Sequence, residues 1–310
     1  MVNPTQTSTF DTKHEGIIYD AQFDYYGRRL ATCSADGTIK VFQVEENEEF
    51  TQVATLQHHQ GGVLGVSWSH PKFGSLLASA GIDHKVLIWK EMSQNSWNVV
   101  YEYDGHSGPV NCVSWAPWEH GLMLLTGSSD CTVSVISRLS EDKWESSQFE
   151  SNSNGVTSVS WAPGVSLSQM QSGETYLLRR FVTGGGDNLV KVWTYSEGTY
   201  ECEELPKKHN KWVRDVAWCP AMGLPKQVIA SCGEDCSVVI WENSGESWEA
   251  REVLVLKAPV WRVSWSVAGN ALAVSAGDNI TRILRETPEG NWEVVSEYSE
   301  NGQAPSESTD

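Results

Sequence analysis

One spacing constrains this chain more than any other. An aspartate returns six times, and six residues after each comes an aromatic or bulky aliphatic residue: Asp36/Phe42, Asp83/Trp89, Asp130/Ile136, Asp187/Trp193, Asp235/Trp241 and Asp278/Leu284. Ahead of each aspartate a second marker, Phe23, Trp68, Trp115, Trp161, Trp218 or Trp265, ends an apolar alternating run such as Val110-Asn111-Cys112-Val113-Ser114-Trp115. Alternation of that kind is strand periodicity. Asp36 and Asp278 are five repeats apart, so the mean period is about 48 residues. A period of that size means an array of small sheets that bury their faces against one another.

The residue types decide which array. An aspartate with tryptophan six further on, and a histidine before the module, follows the WD-repeat pattern rather than the kelch pattern. The fold class expected is therefore all-β: a WD-repeat β-propeller of six blades over residues 1–298, with 299–310 as a disordered acidic tail. Module one reads as strands 17–23, 29–34 and 38–42, with a hairpin turn at Asp36-Gly37. A more polar fourth strand at 49–56 suits a blade's outer edge. Further outer strands are expected near 97–103, 144–149 and 292–298, and the last inner strand near 258–265. Module four carries extra residues, and its Ser/Gln/Gly-rich stretch from Gly164 to Leu178 reads as a surface loop.

The strand count leaves a remainder. Residues 6–11 alternate as one strand more than six blades of four require. Two arrangements satisfy this count: a closed ring with a frayed start, or an open one in which the orphan strand edges a seventh blade completed by a partner. The second would leave apolar strand faces bare, which marks a partner site.

A formal net charge of −18 and a pI near 4.8 argue against direct binding of nucleic acid or anionic lipid and point to a protein partner. The start of the chain lacks a basic-then-apolar leader, and no apolar run approaches a membrane span, so a reducing, soluble compartment without membrane insertion is expected. Seven cysteines form no CxxC pair, and Cys33 and Cys232 share one repeat position; they read as small core residues.

Four histidines precede their aspartates by 22 to 26 residues (His14, His59, His106 and His209), and Thr32, Ser79, Thr126, Thr183 and Ser231 stand four before theirs. These resemble Ser-His-Asp triads, but catalysis needs a triad once, and this one recurs. The physical reading is a structural network from Asp through His and hydroxyl to indole, each charge-assisted bond contributing about 1.5–3 kcal/mol. The complete tetrads are His59, Ser79, Asp83, Trp89 and His209, Ser231, Asp235, Trp241. Module four has Asn152 near the histidine position, and module six has Val274 in the hydroxyl's place. No catalytic, cofactor-binding or metal residue is assigned: Gly184-Gly185-Gly186-Asp187 lacks the Lys-Ser/Thr of a phosphate loop, His58-His59 lacks a third ligand, and Lys207-Lys208 reads as a solvated loop. The chain is not read as an enzyme.

Several turns match one family closely. Asp20-Ala21-Gln22, Asp24-Tyr25-Tyr26-Gly27, the run Leu30 to Ser34, Gly185 to Trp193, Trp212 to Trp218 and Ala273 to Asn279 resemble the small WD-repeat subunit of the COPII outer coat, which is shared with the nuclear pore Y-complex. The resemblance covers roughly residues 8–298 and implies an open six-bladed propeller whose seventh blade is donated by a large α-solenoid coat subunit or by a Y-complex nucleoporin. It implies a scaffold in ER-to-Golgi vesicle transport, on the cytoplasmic side of the endoplasmic reticulum, on vesicles and at nuclear pores, and in some lineages in nutrient sensing at lysosomes. A closed-ring adaptor in another complex is the alternative. Leu284, at the last tryptophan's place, and the wording of Gly164 to Leu178 depart from the family pattern. The partner contacts expected by position are Phe10, Ile18, Tyr19, Val260 and Trp261.

Overall fold

A computed structural model describes residues 9–45, 49–140, 143–168, 175–220, 226–243, 245 and 247–299. They form an all-β chain of propeller blades; apart from two single 3-10 turns, the described residues hold no helix. The blades follow from two local signals. Alternating Val, Ile and Trp residues favour pleated, half-buried strands. The residue after each repeat aspartate (Gly37, His84, Cys131, Asn188, Cys236 and Asn279) takes a positive φ of 61–80°, which turns the chain sharply into the next strand.

The chain divides into two compact units, one from Thr9 to Gly164 and one from Val165 on. The first holds β1 (Ile18–Phe23), β2 (Arg29–Ser34), β3 (Thr38–Val44) and β4 (Phe50–Gln57) as one antiparallel meander. Two further meanders follow: β5 (Val63–Trp68), β6 (Leu76–Gly81), β7 (Val86–Ser93) and β8 (Ser96–Tyr103), then β9 (Val110–Trp115), β10 (Met123–Ser128), β11 (Thr132–Ser140) and β12 (Lys143–Glu150). β13 (Val156–Trp161) packs on β9 and β10.

The second unit opens with β14 (Val165–Ser168) and β15 (Thr175–Leu178), then β16 (Arg180–Gly185), β17 (Val190–Ser196) and β18 (Thr199–Glu204). It continues with two complete meanders: β19 (Val213–Trp218), β20 (Gln227–Gly233), β21 (Ser237–Asn243) and β22 (Trp248–Val255), then β23 (Val260–Trp265), β24 (Ala271–Ala276), β25 (Ile280–Glu286) and β26 (Trp292–Ser299). Counting β13 and leaving the β14–β15 hairpin aside, each of the six repeats carries four strands among the described residues.

Most innermost strands share one register. Ile18, Val63, Val110, Val213 and Val260 face Ser34, Gly81, Ser128, Gly233 and Ala276, and a bulge follows at Ile18/Asp20, Val63/Gly65, Val213/Asp215 and Val260/Arg262. Within each unit neighbouring blades share apolar cores, to which Leu76, Ile88, Val110 and Leu124 belong in the first unit and Val228, Ile240, Val263 and Leu272 in the second.

Three sequence expectations differ from the structure. The stretch from Gly164 to Leu178 is not simply a loop: β14 and β15 pair as an antiparallel hairpin with Val165 opposite Leu178, since Val-Ser-Leu-Ser and Thr-Tyr-Leu-Leu are strand-favouring words. β26 runs on through Ser299, one residue into the stretch read as tail, because Ser299 pairs with Ile280; residues 300–310 lie outside the described residues. Of the expected strand 6–11, Gln6 to Ser8 lie outside the described residues too. Thr9 to Asp11 carry no strand pairing; Phe10 instead stacks on Phe50, with ring centroids 4.1 Å apart, and meets Phe42 edge-on.

Candidate functional site

The repeat aspartates first build their own turns. In all six repeats the aspartate's Oδ1 accepts the backbone N–H two residues on, from Thr38, Lys85, Thr132, Leu189, Ser237 and Ile280. Three of those hydroxyls, on Thr38, Thr132 and Ser237, also donate to it. The tetrads assemble on this base. His59 Nδ1 donates to Asp83 at 3.0 Å, Ser79 Oγ donates to His59 Nε2 at 2.8 Å, and Trp89 Nε1 donates to Ser79 Oγ at 2.9 Å. In the other complete set, His209 stands 3.0 Å from Asp235 and 2.7 Å from Ser231, whose Oγ accepts from Trp241 at 2.8 Å. A neutral histidine with its proton on Nδ1 satisfies every donor and acceptor in such a chain. Gly81 is required beside it, because a Cβ there would lie 2.5 Å from Asp83 and 2.6 Å from His59.

Electrostatics agree with that protonation. Burial holds the His59 and His106 imidazoles below their usual pKa, against the pull of Asp83 and Asp130. Burial pushes the Asp130 carboxyl up, but donors from Thr132, Ser107 and His106 outweigh it and bring the pKa to about 2. Asp235 is likewise pushed up by burial and brought to about 2 by His209, Ser237 and Asn210. Ser79 and Ser231 are fully buried, with their oxygens already committed to indole and imidazole. Neither can reach a substrate, so the groups act as ties between turn and strands. The described residues contain no cluster of three or more metal-ligating side chains.

Two of the blades that lack a complete tetrad, those of repeats four and six, use a device the sequence pattern did not disclose. A cation four residues after the aspartate takes over: Arg282 bridges Asp278 and Glu297 at 2.8 Å each, and Lys191 lies 4.0 Å from Asp187 and 3.0 Å from Glu204. Thr183 still accepts from Trp193 at 3.1 Å, and Asn152 is fully buried. The signal was present, since Lys191 and Arg282 share one repeat position, but that position lies outside the WD pattern.

The tryptophans that end the innermost strands fasten one blade to the one before. Trp68 donates its indole N–H to the Gln22 carbonyl, Trp115 to Ser67, Trp161 to Ser114 and Trp265 to Ala217, at 2.9–3.0 Å. Outer-strand tryptophans meet these rings edge-on, as in Trp68/Trp97, Trp218/Trp248 and Trp265/Trp292. The first repeat has Phe23 at this place, with no N–H to donate and 54% of its surface exposed.

That difference extends along β1. Val63, Val110, Val156, Val213 and Val260 open their strands at 0% exposure, whereas Ile18 at the same place is 41% exposed and Tyr19 beside it 41%. Ile17 is 70% exposed. Of the five residues chosen by position, Ile18 and Tyr19 are thus each 41% exposed on β1, and Phe10 packs on Phe42 and Phe50. Val260 is buried in the second unit's core, and Trp261, 44% exposed, lies against the Arg214 guanidinium.

The pattern of the WD domain, G-beta repeat, family matches residues 4–43, 50–90, 97–137, 144–194 and 201–242. Over nearly the whole chain, the sequence is 56% identical to protein transport protein SEC13 homolog B of Arabidopsis thaliana, across 92% of this chain and 97% of that one. It is 48% identical to protein SEC13 homolog of Homo sapiens, across 94% and 93%. The chain belongs to the SEC13 family. Protein transport protein SEC13 of Yarrowia lipolytica, 44% identical, is covered over 99% of its length. In this SEC13-type chain the matched repeats run from the outer strand of one blade through three strands of the next, as from β4 to β7. The first match starts at residue 4, ahead of β1, where the other repeats have an outer strand.

Proposed function

We propose that this SEC13-family chain is a structural, non-enzymatic scaffold subunit in protein transport that receives a blade from a large α-solenoid partner. The observation that carries the reading is the exposure along β1. Ile18 is 41% exposed at a place that the other repeats bury, and Phe23 ends the strand without an indole latch. A partner strand laid beside β1 would give these side chains the cover their counterparts have, and main-chain pairing would add affinity. In this reading the donated strands also cover Phe10, which stacks on Phe50. The family match begins at residue 4, ahead of β1, at the repeat place that an outer strand holds in the later matches, and this supports the same reading.

The relatives named as protein transport proteins support a transport role, and the vesicle coat is the setting proposed for it. The proposed partners are the large α-solenoid subunit of the COPII outer coat and, by the same mode, a nucleoporin of the Y-complex. The proposed sites of action are the cytoplasmic side of the endoplasmic reticulum, its vesicles and the nuclear pore. No described helix is long and apolar enough to cross a membrane. The test is to co-express the full chain with the coat subunit and wash the purified complex in high salt. Retention that is lost when the partner's first strands are deleted supports blade donation; release of the chain alone and intact refutes it.

A further inference from the structure

From residue 205 to residue 214 the chain reverses its own charge. Lys207, Lys208, Lys211 and Arg214 fall in this window and no carboxylate does, in a protein with 22 basic and 40 acidic residues. Lys207, Lys208 and Lys211 are exposed, as is Lys257 in the connection between β22 and β23. None of the four makes an ion pair with a described carboxylate. An exposed indole follows on each connection, Trp212 directly after Lys211 and Trp261 four residues after Lys257. Trp212 and Trp261, each 44% exposed, hold the Arg214 guanidinium between their rings, 5.2 Å from either centroid, while Arg214 also pairs with Glu234. Cation–π stacking of this kind fixes both rings without burying them.

The backbone beneath is rigid. His209 is tied to Asp235 and Ser231, the Asn210 N–H donates to Asp235, and the Trp212 carbonyl accepts from Glu234 N–H. On the neighbouring connection the Pro259 carbonyl accepts from Gly277 N–H. A surface already ordered loses little entropy when it binds.

We propose that this basic–aromatic face is a docking site for an extended acidic segment of a partner protein. Carboxylates of the segment would meet Lys207, Lys208, Lys211 and Lys257, and an apolar residue between them would lie across Trp212 and Trp261. Charge complementarity selects this occupant. The wider molecule, at −18, repels a long polyanion such as RNA, whereas a short acidic peptide meets only the local positive patch. The site does not depend on the reading of β1, and blade donation can fail while this site stands.

The test uses the full chain and two fluorescein-labelled synthetic peptides, one with glutamates flanking a Phe-Pro centre and the other with lysines in their place, measured by fluorescence anisotropy. Expected is binding of the acidic peptide that weakens as salt rises, with the lysine peptide at least about tenfold weaker. The triple charge reversal Lys207→Glu, Lys208→Glu, Lys211→Glu, all at exposed positions, should weaken it about tenfold or more, and Trp212→Ala by a similar factor. A matching reversal at exposed Lys90 should change nothing. Equal binding of both peptides, indifference to the triple reversal, or tighter lysine-dependent binding of a ten-nucleotide oligouridylate would each overturn the proposal.

Discussion

Replacing Ile18, Tyr19 and Phe23 together by serine separates a strand that waits for a partner from one that is merely irregular. Full burial of such a side chain is worth roughly 1.5–3 kcal/mol. With 41%, 41% and 54% of their surfaces still exposed, each has about 1 kcal/mol left to gain on being covered. The triple variant should thus bind the coat subunit about 100-fold more weakly, at about 1.4 kcal/mol per decade. The free chain should hardly notice, its urea midpoint corresponding to a loss well below that of Val63→Ser. Val63 is at 0% exposure, and truncating such a site to a polar residue costs about 2–3 kcal/mol. Isothermal titration of the purified subunit gives the first quantity and urea melts the second. Unchanged affinity, or a melt as damaged as that of Val63→Ser, would refute the reasoning.

Acidification should loosen the chain in two stages. The His59 and His106 pKa values lie below 6.5 when folded, so the unfolded chain takes protons first. Their contribution is whole above about pH 6.5 and declines below it, by at most about 1.4 kcal/mol per pH unit for each histidine. Asp130 and Asp235, lowered from 3.8 to about 2, add a second loss as pH falls from about 4 to 2. Urea melts from pH 7.5 to 5 should show the first stage, flattened in His59→Asn. Trp265→Phe deletes the bond to the Ala217 carbonyl and should cost about 1 kcal/mol in the same melts. Arg282→Ala leaves Asp278 and Glu297 facing each other without their cation; with both carboxylates partly exposed, a loss of about 1–3 kcal/mol is expected from thermal unfolding.

The blades were legible because their information is local and repeated. A six-residue offset and an alternating run are written into each repeat, and a turn aspartate binding the amide two residues on has no distant requirement. The Arg282 and Lys191 clusters were not legible, because a cation four residues after an aspartate is commonplace until a strand pairing brings Glu297 or Glu204 alongside. The role of Trp265 was half legible: its position marked it as architecture, but its acceptor is a carbonyl 48 residues upstream. Exposure of β1 could not be read from Ile18-Tyr19 alone, since apolar letters describe a covered strand and a bare one alike. Val260 shows the converse: its position at the start of the last inner strand suggested a contact surface, and packing on Val238 and Leu272 closed it.

The indole latches also give the chain a direction in time. In four repeats the donor indole lies 46–48 residues after the carbonyl it grasps, so on a ribosome the acceptor always emerges first. Each of these four blades docks onto one already made, and a nascent chain halted just before any of them leaves only an idle carbonyl, which water can satisfy. Cutting from the front instead strands an indole N–H, which has no second choice of role. Synthesis from the amino end is thus the order in which no latch is left hanging.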